Sequence, residues 1–145
     1  MAVRMAHHLM SSLSELRFEP VTRRIRCLVD DVTVADTTDA MLVWEPRRIV
    51  PVYGVPPDDI NAELVPFTSA DSPDGPDLEA LPPVLGPENF GIHTCDGEAM
   101  SLRAGDRELP GVAFRPDAPE LGGRITLDWP SFDWTEEEQP VVGHP

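Results

Sequence analysis

Apolar residues in this chain come in short alternating runs that proline and glycine interrupt, and no window keeps a 3.6-residue period long enough for a sizeable helix. Seventeen prolines among 145 residues make that interruption general. In "RRIRCLVDDVTVAD", Ile25, Cys27 and Val29 alternate with polar or outward positions, and Val32 and Val34 alternate about Thr33. Period-two alternation is the signature of half-buried strands, and the intervening Asp30-Asp31 suits a tight hairpin turn. Further strands are expected over 41–44, over 49–53, and in "FGIHTC", "EAMSLRA", "GVAFRP" and "RITLDW", with a turn at Gly105-Asp106. Pro56 and Pro57 pre-set the first turn of a short helix, with acids following. "PSFDWTEEEQP" reads as a second short helix capped by Ser131. Many short strands with turn signals predict a mainly β domain with one or two short helices.

The organisation expected is a flexible or weakly helical lead-in over 1–17, one β-rich domain over 18–134, and an acidic tail over 135–145. Residues 68–87, with five prolines and a run of acids, read as a surface loop or partly disordered insertion. A chain of this length buries a real core but leaves little room for a second domain.

Asp and Glu outnumber Arg 26 to 11, for a formal charge of −15. A field of that sign repels phosphate backbones, so no nucleic-acid partner is expected. No apolar run approaches the ~20 residues of a membrane helix, so no membrane partner is expected either. The first residues lack the pattern of a secretory signal, which makes a cytoplasmic location the expectation. The absence of lysine removes Schiff-base chemistry and Walker-type phosphate binding. Arginine-only usage with abundant proline suggests a high-GC bacterial genome of the actinobacterial kind. The two cysteines, Cys27 and Cys95, cannot make a four-cysteine zinc site, and neither a metal nor a cofactor is expected.

Two polar interruptions are the candidate sites. "MLVWEPRRIVPVY" places Glu45, Arg47 and Arg48 inside an otherwise apolar run. Pro46 favours an edge or bend, so these three charges are expected at a rim. There they form either a solvated turn or, through the planar fork of Arg47 or Arg48, a receptor for an anion. "GIHTCDGE" places His93, Cys95 and Asp96 between two glycines. On a strand His93 and Cys95 share a side, and a thiol beside an imidazolium becomes a better nucleophile. The tryptophans fill the core or line a cage for a flat or cationic ligand.

These same blocks, "VADT…LVWEP…PVY", "HTCDGEAMSL", "GVAFRPDAPELGGRITLDW" and "EEEQPVVGHP", resemble the bacterial family catalogued as domain of unknown function 427. The chain looks like the N-terminal copy of tandem members. The resemblance implies a β-tent-like fold, two small antiparallel sheets leaning together, of an architecture shared with zinc-bearing relatives. The paired Cys-x-x-Cys knuckles of those relatives are missing here.

Three functions follow as expectations. The first is a small-molecule-binding domain whose inter-sheet pocket is lined by Trp44, Tyr53, His93 and Trp129, with Glu45 and Arg47 at its rim. The second is a small enzyme performing acid–base or thiol chemistry. It would use His93 as base, Cys95 as nucleophile or bystander, and Glu45 or Asp36 as the partner carboxylate. The third is an acidic protein–protein interaction module, for a basic partner or as a homo-oligomer.

Overall fold

A computed structural model describes residues 2, 15–67, 85–86, 93–141 and 145. The expectations placed on 3–14 and on most of 68–87 therefore lie outside the described residues. Eleven strands are described: β1 (Arg17–Pro20), β2 (Ile25–Val29), β3 (Val32–Thr37), β4 (Met41–Trp44), β5 (Val52–Val55), β6 (Glu63–Pro66), β7 (Gly97–Ala104), β8 (Arg107–Pro116), β9 (Ile125–Leu127), β10 (Asp133–Glu136) and β11 (Gln139–Pro140). They form two antiparallel sheets. The larger has seven strands in the order β1-β4-β5-β9-β8-β7-β6, and the smaller has four in the order β11-β10-β2-β3. The expected mainly β architecture of two sheets is the one observed. No described helix is long and apolar enough to cross a membrane.

The alternation in "IRCLV" has the meaning expected of it. Ile25, Cys27 and Val29 are buried while Arg26 and Leu28 are only partly covered. The Asp30-Asp31 turn holds both residues at positive φ, 48° and 65°. That is the geometry whose twist matches the flanking strands of a two-residue hairpin. Gly105 and Asp106 close the β7–β8 hairpin with a different turn, in which Gly105 alone takes positive φ, 60°. The helix expected after Pro56 is a single 3-10 turn, Pro57–Asp59.

Three expectations need correction. The fourth strand runs over Val52–Val55 rather than 49–53, because residues 46–50 form a turn and a bridge to Leu85. The "FGIHTC" strand is absent from its described part, since 93–96 is irregular and β7 begins at Gly97. "PSFDWTEEEQP" is not a helix followed by a tail. A 3-10 turn at Trp129–Ser131 leads into β10, which pairs with β2 and turns back through Glu137 and Glu138 into β11. The acidic pair takes positive φ, 51° and 71°, and acts as a hairpin turn. Residues 135–140 are thus part of the smaller sheet.

The core lies between the sheets. Tyr53 from β5 meets Trp134 from β10 with ring centroids 5.1 Å apart, and Trp129 stacks on Trp134 at 5.3 Å. The Trp134 indole donates to the Trp129 carbonyl at 3.1 Å, so the buried N–H is satisfied. The core-filling reading of Trp129 and Trp134 is the observed one, and Trp134 is only 3% exposed.

Candidate functional site

The "EPRR" segment is a tight turn closed by the Arg48 amide donating to the Glu45 carbonyl at 3.0 Å. Pro46 takes the second position, and Arg47 takes the third at φ 72°. This is a type II pattern, which favours glycine at that third position. A non-glycine residue there carries local strain, which cores tolerate only where surrounding contacts over-determine it. The contacts are present. The Arg17 guanidinium donates to the Arg48 carbonyl at 2.7 Å and to the Glu45 carbonyl at 3.3 Å. The Leu85 amide donates to the Arg47 carbonyl at 2.7 Å, and the Ile49 amide to the Leu85 carbonyl at 3.1 Å.

This turn overturns the expected rim. Glu45 is 1% and Arg48 2% exposed, with their charged ends 3.9 Å apart. The turn folds inward under the 93–96 segment, so the two charges it carries are covered rather than displayed. Arg47 remains partly exposed.

Glu45 is the hub. Its carboxylate accepts the Thr94 amide at 2.9 Å and faces Nδ1 of His93 at 2.9 Å. The Cys95 thiol donates to it at 3.6 Å. The Thr94 hydroxyl donates to the Pro46 carbonyl at 2.6 Å, a second clasp between the same two segments. Burial is the largest influence on the Glu45 carboxyl and pushes its pKa up. The hydrogen bond and charge of His93, then Arg48 and the Thr94 amide, outweigh it and hold the carboxyl below its ordinary value. Glu45 is therefore an ionised, buried carboxylate at neutral pH.

The His93 ring stacks on Phe114, with centroids 3.9 Å apart and planes 11° from parallel. Gly97 makes room for that platform: a Cβ there would lie 2.5 Å from the Phe114 ring and 2.4 Å from the Arg115 carbonyl oxygen. The imidazole is 28% exposed, and Nε2 bonds to no described residue.

His93, Cys95 and Glu45 thus meet at one place, as the acid–base reading expects, although 48 and 50 positions separate Glu45 from the other two. Asp36, the other candidate carboxylate, is elsewhere, held by Arg24 at 2.6 Å and by Arg26 at 3.5 Å. The pocket expected from Trp44, Tyr53, His93 and Trp129 does not assemble. Gly54, Thr126 and Phe114 are successive partners across β5, β9 and β8 and so share one face of the large sheet. Tyr53, next to Gly54, must point to the other face. There it packs against Trp129, with centroids 6.1 Å apart, in the filled space between the sheets. His93, stacked on Phe114, is on the opposite side of that sheet. Trp44 is half-buried at the end of β4, and alternation from Val43 puts it on the Tyr53 face.

Residues 17–73 match the model of a family described as a domain of unknown function (DUF427). No curated protein matches the chain. The DUF427 segment contains the Glu45–Arg48 turn and Tyr53, whereas His93, Cys95, Phe114 and Trp129 lie beyond it. The candidate site therefore joins the DUF427 segment to the second half of the chain.

Phe114, Thr94, Gly97 and Arg17 escaped the sequence reading. The alternation in "GVAF" could have placed Phe114 opposite Ala113, but nothing local announces that an imidazole stacks on it. Among the described residues, no group of three or more His, Cys, Asp and Glu side chains is arranged to hold a metal ion.

Cys95 is the weak member of the constellation as a nucleophile. Burial first, and then the neighbouring Glu45 charge, push its thiol up to about 12. The thiolate is the reactive form, so this setting is the reverse of an activated cysteine. Iodoacetamide at pH 7.5 should label Cys95 at least ~10-fold more slowly than an ordinary exposed thiol, the lower thiolate fraction outweighing the greater nucleophilicity of a high-pKa thiolate. Mass spectrometry of the Cys95 peptide over time measures it, and labelling at the ordinary rate would contradict the buried, carboxylate-facing thiol.

Proposed function

We propose that the domain acts on a small molecule by acid–base chemistry, with His93 as the proton-transferring group and Glu45 as its positioning carboxylate. One observation carries the reading. A buried ionised carboxylate holds Nδ1 of a part-exposed imidazole, and the other ring nitrogen bonds to no described residue. A carboxylate on Nδ1 fixes the tautomer with its proton there, which leaves the Nε2 lone pair to take a proton. The same carboxylate stabilises the imidazolium that results. Stacking on Phe114 and the Thr94 clasp fix the ring plane, so little reorganisation accompanies the transfer. The raised Cys95 thiol argues for proton transfer rather than thiol attack. The strained Arg47 backbone beside the dyad agrees with a site whose geometry is held against local preference.

The test is a proton abstraction that needs no knowledge of the natural substrate. In the Kemp elimination of 5-nitrobenzisoxazole, a base removes the ring C–H proton while the N–O bond breaks to leave the phenolate. The wild-type protein should catalyse it above the rate of free imidazole at equal concentration. His93→Gln should lose at least tenfold of that rate, and Cys95→Ser should keep it. Equal rates for the wild type and His93→Gln, with both folded by circular dichroism, would reduce the dyad to a structural clasp.

A further inference from the structure

A cavity of about 490 Å³ lies beside the 3-10 turn Trp129–Ser131 and the β10–β11 hairpin, away from the dyad. Its apolar lining comes from Leu28, Trp129, Pro130, Phe132, Pro140 and Val141. Its charged lining is acidic only, with Asp31 from the β2–β3 turn and Asp133 at the start of β10. Neither aspartate has an ion-pair or hydrogen-bond partner among the described residues. Three other acids of the same sheet and its turns are paired: Arg23 holds Glu136, Arg24 holds Asp36 and Arg107 holds Asp30. Thr135 borders the cavity as well, with its hydroxyl oxygen sealed from it.

We infer that this cavity binds a small organic cation, an amine or quaternary ammonium with an apolar body. The body would lie against Trp129, Pro130 and Phe132, and the charge would face Asp31 and Asp133. Mostly apolar walls with a few converging polar groups are the usual composition of a ligand site. The choice of sign follows from the two exposed carboxylates with no basic residue in the lining. It follows also from the chain's charge of −15, which raises the local concentration of cations and repels anions. This site is on a different sheet from the dyad and stands whether or not His93 is a base.

The experiment uses benzyltrimethylammonium and choline as probes, with 3,3-dimethylbutanol as the neutral isostere of choline, read by tryptophan fluorescence and by chemical-shift changes at the Trp129 and Trp134 indole N–H groups. The cations should bind saturably, at least tenfold more tightly than the neutral isostere, and less tightly as ionic strength rises. The double variant Asp31→Asn, Asp133→Asn changes two exposed side chains and should fold as the parent does while losing about tenfold in cation affinity. Equal affinity for choline and its isostere, unchanged affinity in the double variant, or shifts that never saturate would each overturn the inference.

Discussion

Replacing Glu45 with alanine should destabilise the domain by about 3–5 kcal/mol, the cost expected when a buried charge pair loses one partner. For a chain of this size that lowers the midpoint of thermal unfolding by about 10 °C or more. The magnitude follows from what the carboxylate holds. Its loss removes a counter-charge from Arg48, which is 2% exposed, and removes the acceptor of the Thr94 amide, the Cys95 thiol and His93 Nδ1. A solvated turn, the other reading of "EPRR", would change by no more than ~1 kcal/mol. Differential scanning calorimetry of the two proteins at neutral pH separates these outcomes, and a shift of only a degree or two would mean that Glu45 is not the hub the geometry makes it.

The same residue sets an acid limit. In the unfolded chain Glu45 titrates near its ordinary value of 4.5, and in the folded protein it titrates lower. Between those two values the unfolded state binds more protons. The stability that Glu45 contributes is therefore fully present above 4.5 and is lost as pH falls through the lower, folded value. The gap between wild type and Glu45→Ala should narrow as pH falls through that window.

How far this was legible in the sequence depends on the range of the interactions. The β2–β3 hairpin was readable because its signals are local: Ile25, Cys27 and Val29 alternate, and two aspartates sit where positive φ is needed. The β10–β11 hairpin has the same kind of turn, but Glu137 and Glu138 are poor advertisements for it, since glutamate rarely adopts positive φ. Read locally, Ser131 followed by acids signals a helix start. Pairing of β10 with β2, more than a hundred residues away, decides the matter instead. The site divides in the same way. Residue type and spacing were enough to single out Glu45, His93 and Cys95. The burial of Glu45 and Arg48 was not readable, because it is created by a segment some 45–50 positions onward that folds over them. Nor could spacing show that Tyr53 and His93 take opposite faces of the large sheet. That depends on the registers of β5 with β9 and β9 with β8, which place Gly54, not Tyr53, in the Phe114 row.

Trp134→Ala should be at least as damaging as the loss of Glu45, at about 3–5 kcal/mol for truncating a buried tryptophan. Trp134 belongs to β10 of the small sheet, and its ring touches Tyr53 of the large sheet, Trp129 of the connecting turn and Phe132. One side chain thus joins both sheets and the segment between β9 and β10. Removing it leaves a cavity against three rings, and the Trp129 carbonyl loses its indole donor. Trp134→Phe keeps most of the volume and should recover more than half of the loss in urea unfolding, because filling the space matters more than one hydrogen bond worth about 1 kcal/mol. The site on the far face of the large sheet supplies the control. If Trp134→Phe shifts the Kemp rate as strongly as it shifts stability, the two faces are coupled through the sheet. If the rate per folded molecule is unchanged, the aromatic core supports the fold and the Glu45–His93 pair keeps its geometry from its own contacts.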